Sequence, residues 1–130
     1  METNYEKNGK KNVLLAEDNP GIRGLVERIF KIKEFNNNQY NLKIVGNGKE
    51  ALDEIERDVP YMLISDIEMP IMNGLELLEK VNSNEKCKCL KIGIMSSNLD
   101  MYVNDLSKYN NIKTLKKPFA VDGFIKFVKD

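Results

Sequence analysis

The chain has 130 residues, the length of one domain built around one hydrophobic core. Hydrophobic residues account for 42% of the chain and charged residues for 31%, which excludes a largely disordered or fibrous protein. The 20 Lys and Arg residues balance the 20 Asp and Glu residues, so no net charge draws the chain directly to nucleic acid or to an anionic membrane surface.

Residue types that are missing or scarce restrict the chemistry further. The chain has no histidine, which excludes histidine-based acid–base catalysis, Ser-His and Cys-His nucleophiles, and a phosphohistidine on this chain. The two cysteines, Cys87 and Cys89, are too few for a disulfide framework and lack the second ligand pair of a zinc site. No apolar run approaches the length of a membrane span, and the N-terminus lacks the core of a signal peptide, so a cytoplasmic location is expected.

Residues 1–11 are polar and rich in Asn and Lys, and they predict a flexible N-terminal tail before a single domain over residues 12–130. In that domain, short apolar runs alternate with amphipathic stretches whose apolar residues recur at helical spacing. In chain order the runs predict five strands, at residues 13–16, 42–45, 61–65, 90–95 and 112–115. The amphipathic stretches predict five helices, one after each strand, at residues 22–30, 51–55, 75–81, 101–109 and 121–128. The fourth stretch is Asn-rich and has a weak apolar stripe.

Five repeats of strand and helix predict an α/β fold. Strands that are almost continuously apolar are buried on both faces, so we expect a doubly wound, five-stranded parallel sheet with helices on each side. The common strand order for such a sheet is 2-1-3-4-5. In this order a functional crevice is expected beyond the carboxyl ends of the first and third strands.

Acidic residues follow the two strands that flank this crevice. Glu17 and Asp18 come directly after the first strand, and Asp66 follows the third. Carboxylates brought this close repel one another, and they stay ionised at neutral pH only when a cation is supplied. Oxygen ligands without histidine favour Mg²⁺ over Zn²⁺. We therefore predict a Mg²⁺ site held by Asp18, Asp66 and the main-chain carbonyl of Glu68, with Glu17 acting mainly through ordered water.

Each of these residues has a chemical role if the site binds a phosphoryl group. Asp66 is predicted to be the nucleophile that forms an aspartyl-phosphate. Lys117, after the fifth strand, offers a positive charge, and Ser96, after the fourth, offers a hydroxyl donor to phosphate oxygens. These residues predict a site that accepts phosphate.

Four motifs resemble the receiver domains of bacterial-type two-component response regulators: LLAEDNP, LISDIEMPIMNG, GIMSS and LKKPF. The resemblance extends from about residue 13 to the C-terminus. It implies the flavodoxin-like, CheY-like form of the fold. It also implies transfer of a phosphoryl group to Asp66 from a partner histidine kinase or histidine phosphotransfer protein, Mg²⁺ dependence, and slow self-dephosphorylation rather than enzymatic turnover.

The resemblance further implies a signalling output. Such receivers change conformation on the face formed by the fourth helix, fifth strand and fifth helix, which implies contact there with an unidentified downstream protein. The same face often dimerises in the family, which leaves a phosphorylation-linked homodimer open. A cis peptide bond is implied at Lys117–Pro118. One position departs from the family: Thr114 stands three residues before Lys117, where many receivers have Tyr or Phe as a switch residue.

Other functions stay open. Thr114 favours a pseudo-receiver that binds its partner without phosphorylation, whereas the complete acid set with Lys117 disfavours it. A Mg²⁺-dependent phosphatase would place its nucleophile in a DxD motif, but the residue two positions after Asp66 is Glu68. A flavodoxin-like electron carrier would need a phosphate-binding Ser/Thr/Gly loop after the first strand, and the sequence there is EDNP.

Overall fold

Residues 6–130, which the computed structural model describes, form one sheet of six strands. The strands are β1 (Glu6–Lys7), β2 (Lys10–Ala16), β3 (Tyr40–Val45), β4 (Met62–Asp66), β5 (Lys91–Ser96) and β6 (Ile112–Lys116). Strands β2 to β6 run parallel in the order β3-β2-β4-β5-β6, and β1 pairs antiparallel with β2. The predicted parallel sheet and its strand order are confirmed.

Helices cover both faces of the sheet. They are α1 (Pro20–Ile29), α2 (Lys33–Asn36), α3 (Gly48–Arg57), α4 (Gly74–Asn82), α5 (Val103–Ser107) and α6 (Val121–Lys129), and 3₁₀ turns span Glu85–Cys87 and Leu99–Tyr102. Side chains alternate between the faces along each strand. Val13 and Leu15 of β2 pack with α1, α2 and α6, whereas Leu14 and Ala16 pack with α3 and α4.

Residues 6–130 contain one α-helix more than the sequence predicts. Helix α2 has four residues, too few to show a helical period. Phe35 in this helix is 3% exposed, and its ring centroid lies 5.2 Å from that of Phe30 and 5.5 Å from that of Tyr40. Aromatic packing therefore holds this turn. The weak fourth stretch forms a 3₁₀ turn and the five-residue α5, in which every residue stays at least partly exposed.

The N-terminal segment differs from the predicted tail. Residues 1–5 of that tail lie outside the described residues, but residues 6–11 extend the sheet. Lys7 pairs with Lys10 around a two-residue turn in which Asn8 has a φ of 57° and Gly9 a φ of 76°. Two positive φ values are typical of a type I′ turn, which Asn-Gly adopts readily and whose twist suits a β-hairpin. Strand β2 consequently begins before the predicted boundary at residue 12.

The carboxyl ends of β2, β4, β5 and β6 meet at one edge of the sheet. Ala16 pairs with Ser65, and Ser96 pairs with Lys116. Helix α1 begins directly beyond this edge, where the Asn19 side chain accepts a hydrogen bond from the Ile22 N–H at 3.0 Å. The cap fixes how the chain leaves β2 and so places residues 17 and 18.

No helix among residues 6–130 combines the length and apolar character that crossing a bilayer would require.

Candidate functional site

Three carboxylates meet at the carboxyl edge of the sheet. Asp66 ends β4, and Glu17 follows the last residue of the neighbouring strand β2. One carboxylate oxygen from each of Glu17, Asp18 and Asp66 lies within 4.8 Å of the others. Glu17 is fully buried and Asp66 is 7% exposed, whereas Asp18 is exposed. The structure thus brings these three sequence-predicted residues together in the expected crevice.

Lys117 supplies positive charge to this cluster. Its Nζ lies 2.7 Å from Glu17 Oε1 and 3.2 Å from Asp66 Oδ2, and its side chain is 13% exposed. The Lys117 N–H donates to the Ser96 carbonyl at 2.9 Å, which continues the pairing of β5 with β6 beyond the strand ends. The Lys117–Pro118 peptide bond is cis, as the family resemblance implies. The neighbouring Lys116 is exposed.

Burial and charge act against each other at Glu17. Burial raises the pKa of the Glu17 carboxyl above its ordinary value, and the negative charge of Asp66 raises it as well. Hydrogen bonds from Lys117 Nζ at 2.7 Å and from the Asn19 N–H at 3.1 Å act in the opposite direction and lower this pKa. The direction that prevails is upward, because burial is the largest influence. The ionised cluster is therefore short of positive charge.

The donor set fits a magnesium ion. Three carboxylates, each −1, and one ammonium group, +1, leave a formal charge of −2. One divalent cation would neutralise that charge. Mg²⁺ prefers oxygen ligands, and carboxylates supply them here.

A buried hydroxyl group lies on the other side of Asp66. Ser96 ends β5, and the residue before it, Met95, pairs with Asp66. Ser96 Oγ accepts a hydrogen bond from the Asn98 N–H at 2.9 Å. This bond uses a lone pair of the oxygen, so the hydroxyl hydrogen can donate elsewhere.

Most of the chain matches one protein family. Residues 13–129 match the model of the response regulator receiver domain. The chain belongs to this family.

Three proteins illustrate the range of its relatives. This receiver domain is 27% identical over 120 residues to Histidine kinase P4 of Formosa agariphila, covering 88% of this chain but 8% of that protein. It is 26% identical over 117 residues to sporulation initiation phosphotransferase F of Bacillus subtilis, covering 90% of each chain. A crystal structure of the receiver domain of a Pseudomonas aeruginosa PAO1 sensor histidine kinase, with a magnesium ion coordinated in its active-site cleft, has the same fold. Its TM-score is 0.79 at 21% identity, covering 92% of this chain and 95% of that one.

The loop that follows Asp66 in this receiver domain closes tightly against the end of β4. The Gly74 N–H donates to the Ile67 carbonyl at 2.7 Å. A Cβ at position 74 would lie 2.2 Å from the Asp66 carbonyl oxygen, so this approach requires glycine. Asp66 Oδ1 in turn accepts a hydrogen bond from the Ile67 N–H at 2.8 Å. The backbone of the loop therefore orients the Asp66 carboxylate.

Polar side chains join two loops of the receiver domain near Asp66. Asn98 Nδ2 donates to Glu68 Oε1 at 3.0 Å. Tyr102 lies close to the same acidic groups: burial raises the pKa of the Tyr102 phenol, and the negative charges of Glu68 and Asp66 raise it further. No sequence pattern shows that the turn after β5 returns to the loop after β4, so the position of Tyr102 near the site could not be predicted.

The aromatic side chain that interacts with the site therefore comes from an unexpected element. Thr114 is exposed on β6, where it pairs with Ile94 of β5. Tyr102 ends the 3₁₀ turn after β5, where the negative charges of Glu68 and Asp66 raise the pKa of its phenol. In this receiver domain, the aromatic ring near the acidic groups therefore comes from the turn after β5 rather than from β6.

Proposed function

We propose that this receiver domain accepts a phosphoryl group on Asp66 from the phosphohistidine of a histidine kinase or histidine phosphotransfer protein, with Mg²⁺, and signals through protein contacts. The observation that carries the proposal is the contact of Lys117 with two of three clustered carboxylates, Glu17 and Asp66. The lack of histidine in the chain supports a donor on another protein.

Asp66 is the proposed nucleophile. One of its oxygens attacks phosphorus and forms a P–O bond, while the P–N bond breaks and its electron pair returns to the imidazole of the donor. The Ile67 N–H at Oδ1 and Lys117 Nζ at Oδ2 hold the carboxylate in one orientation before transfer. After transfer, Lys117 pairs with one phosphoryl oxygen and the Ser96 hydroxyl donates to another.

Asp18, Asp66 and the main-chain carbonyl of Glu68 are the proposed Mg²⁺ ligands, with Glu17 acting mainly through ordered water. The formal charge of −2 and the oxygen donors support this assignment. The magnesium ion in the cleft of the Pseudomonas aeruginosa receiver supports it as well. Bound Mg²⁺ supplies positive charge to the oxygens of the phosphoryl group in transfer.

The proposed function is tested by the intact mass of the protein after incubation with acetyl phosphate. With Mg²⁺ we expect a gain of one phosphoryl group, and we expect no gain in EDTA or in Asp66→Asn. Asp122→Asn is the matched control, because Asp122 is an exposed carboxylate in the first turn of α6. It should gain the group as the wild type does. A gain of mass in Asp66→Asn would defeat the assignment of the acceptor.

A phosphorylation-independent binding module is the second candidate. The observation that favours it is Thr114, which stands on β6 where an aromatic switch residue is common in the family. A folded wild-type protein that gains no mass under any condition and binds no Mg²⁺ would establish this alternative.

We also propose that α5, β6 and α6 contact the downstream protein and form a phosphorylation-linked homodimer. Val103 of α5 is 56% exposed and Val121 of α6 is 39% exposed, and both offer apolar surface there. Sedimentation velocity before and after phosphorylation tests the homodimer. An unchanged sedimentation coefficient would exclude it.

A further inference from the structure

Ile71 combines an exposed apolar side chain with an unfavourable backbone conformation. The residue is 80% exposed. Its φ is 70°, in the left-handed region that β-branched residues rarely adopt. The Met72 N–H donates to the Pro70 carbonyl at 2.7 Å, so Ile71 is the central residue of a γ-turn with positive φ, which is rare and strained. Glycine or asparagine would adopt this φ more easily.

The stability of the protein does not account for isoleucine at this position. An isoleucine that is 80% exposed removes little apolar surface from water. Backbone hydrogen bonds hold the loop on both sides of the turn, from the Gly48 N–H to the Met72 carbonyl at 2.9 Å and from the Gly74 N–H to the Ile67 carbonyl at 2.7 Å. These bonds do not depend on the side chain at position 71. Strained residues that persist in this way are concentrated at binding and catalytic sites.

The position of the turn points to one partner. The loop runs from Asp66 to α4, and Asp66 itself is 7% exposed. A phosphohistidine must come from another protein, because this chain has no histidine, and its phosphorus must come within about 3 Å of Asp66. A protein this close to a recessed carboxylate has to contact the loops around it. We propose that Ile71 is an apolar anchor for the phosphohistidine-bearing donor protein, an inference that rests on the proposed function.

A comparison of a protein donor with a small donor tests this anchor. Ile71→Asn removes the apolar side chain and tolerates a positive φ, so the variant should fold at least as stably as the wild type. Cys89→Asn is the control, because Cys89 is exposed and lies just before β5, at the edge of the sheet opposite Asp66. Each protein is incubated with phosphoramidate and, separately, with the autophosphorylated kinase domains of the source organism's histidine kinases. The phosphorylated fraction is followed over time.

We expect Ile71→Asn to lower the rate of transfer from the protein donor about tenfold. Its labelling by phosphoramidate and its melting temperature should not fall. Cys89→Asn should keep both rates. A wild-type rate of protein-donor transfer in Ile71→Asn would overturn the proposal, as would an equal loss in Cys89→Asn.

The same experiment separates failure of the anchor from failure of the proposed function. If phosphoramidate labels the wild type but none of the kinases transfers to it, the anchor is wrong and the acceptor role of Asp66 stands. If neither donor labels the wild type, both the proposed function and the anchor fail.

Discussion

Lys117→Met removes the positive charge that pairs with Glu17 and Asp66 while it keeps a side chain of similar length. Lys117 Nζ lies 2.7 Å from Glu17 and 3.2 Å from Asp66, so the variant leaves two largely buried carboxylates beside each other. Removing one partner of a buried ion pair costs about 3 to 5 kcal/mol. We expect Lys117→Met to lower the free energy of unfolding in EDTA at pH 7.

Protonation of Glu17 limits this loss. The ordinary pKa of the carboxyl is 4.5. A proton taken up at pH 7 therefore costs roughly 3.4 kcal/mol, from about 2.5 pH units at about 1.36 kcal/mol each, and at pH 5 it costs about 0.7 kcal/mol. Burial already raises the pKa of Glu17 in the folded protein, and loss of the Lys117 hydrogen bond raises it further.

The sign of the pH dependence follows from this raised pKa. A carboxyl whose pKa is higher in the folded state contributes stability below its unfolded pKa and loses that contribution as the pH rises through the folded pKa. The loss caused by an unpaired Glu17 is thus at most about 3.4 kcal/mol at pH 7 and about 0.7 kcal/mol at pH 5.

Urea unfolding in EDTA at both pH values measures these differences. Lys116→Met is the matched control, because Lys116 is adjacent but exposed, and we expect it to change the free energy of unfolding by less than about 0.5 kcal/mol. Mg²⁺ should recover part of the loss at pH 7, since the proposed metal site exists only in the folded state. The reasoning would be refuted by a loss equal at pH 5 and pH 7, or by a similar loss in Lys116→Met.

Three other substitutions test the loop, the metal site and the hairpin. Gly74→Ala places a Cβ 2.2 Å from the Asp66 carbonyl oxygen, so we expect urea unfolding to show a loss of about 2 kcal/mol or more and acetyl phosphate labelling to slow. Asp18→Asn removes a proposed ligand, and calorimetry should show Mg²⁺ affinity about tenfold weaker with an unchanged melting temperature in EDTA. Gly9→Ala forces alanine to a φ of 76°, so it should speed amide exchange in β1. Gly123→Ala is the control, because a Cβ at this position of α6 would point into open space, and it should not change that exchange.

The sheet, and the position of the site residues at one of its edges, were predictable because both depend on strand order. Apolar runs such as that of β4, whose residues are all buried, indicate a parallel sheet covered on both faces. Parallel strands present their carboxyl ends at one edge of the sheet. Strand order alone therefore predicts that Glu17, Asp66 and Lys117 lie near one another, and no measured distance is needed.

Local packing explains what the sequence did not reveal. Helix α2 depends on the contact of Phe35 with Phe30 and Tyr40, which no periodicity records. The position of Tyr102 near the acidic groups depends on the path of a 3₁₀ turn. The hairpin at Asn8 and Gly9 is a different case, because the Asn-Gly pair is a sequence signal for it.

The charge balance at the site gives a route from Asp66 to β6. In the proposed function, phosphorylation would give position 66 a charge of about −2 in place of −1, so that a phosphoryl oxygen would compete with Glu17 for Lys117. The Lys117 N–H donates a hydrogen bond to the Ser96 carbonyl at 2.9 Å. A movement of either residue therefore changes the backbone where β5 and β6 end. Since Thr114 offers no aromatic ring on β6, we expect phosphorylation to change amide exchange at these strand ends and in the turn that carries Tyr102. Lys117→Met should reduce that change, and an equal change in both proteins would remove Lys117 from the coupling.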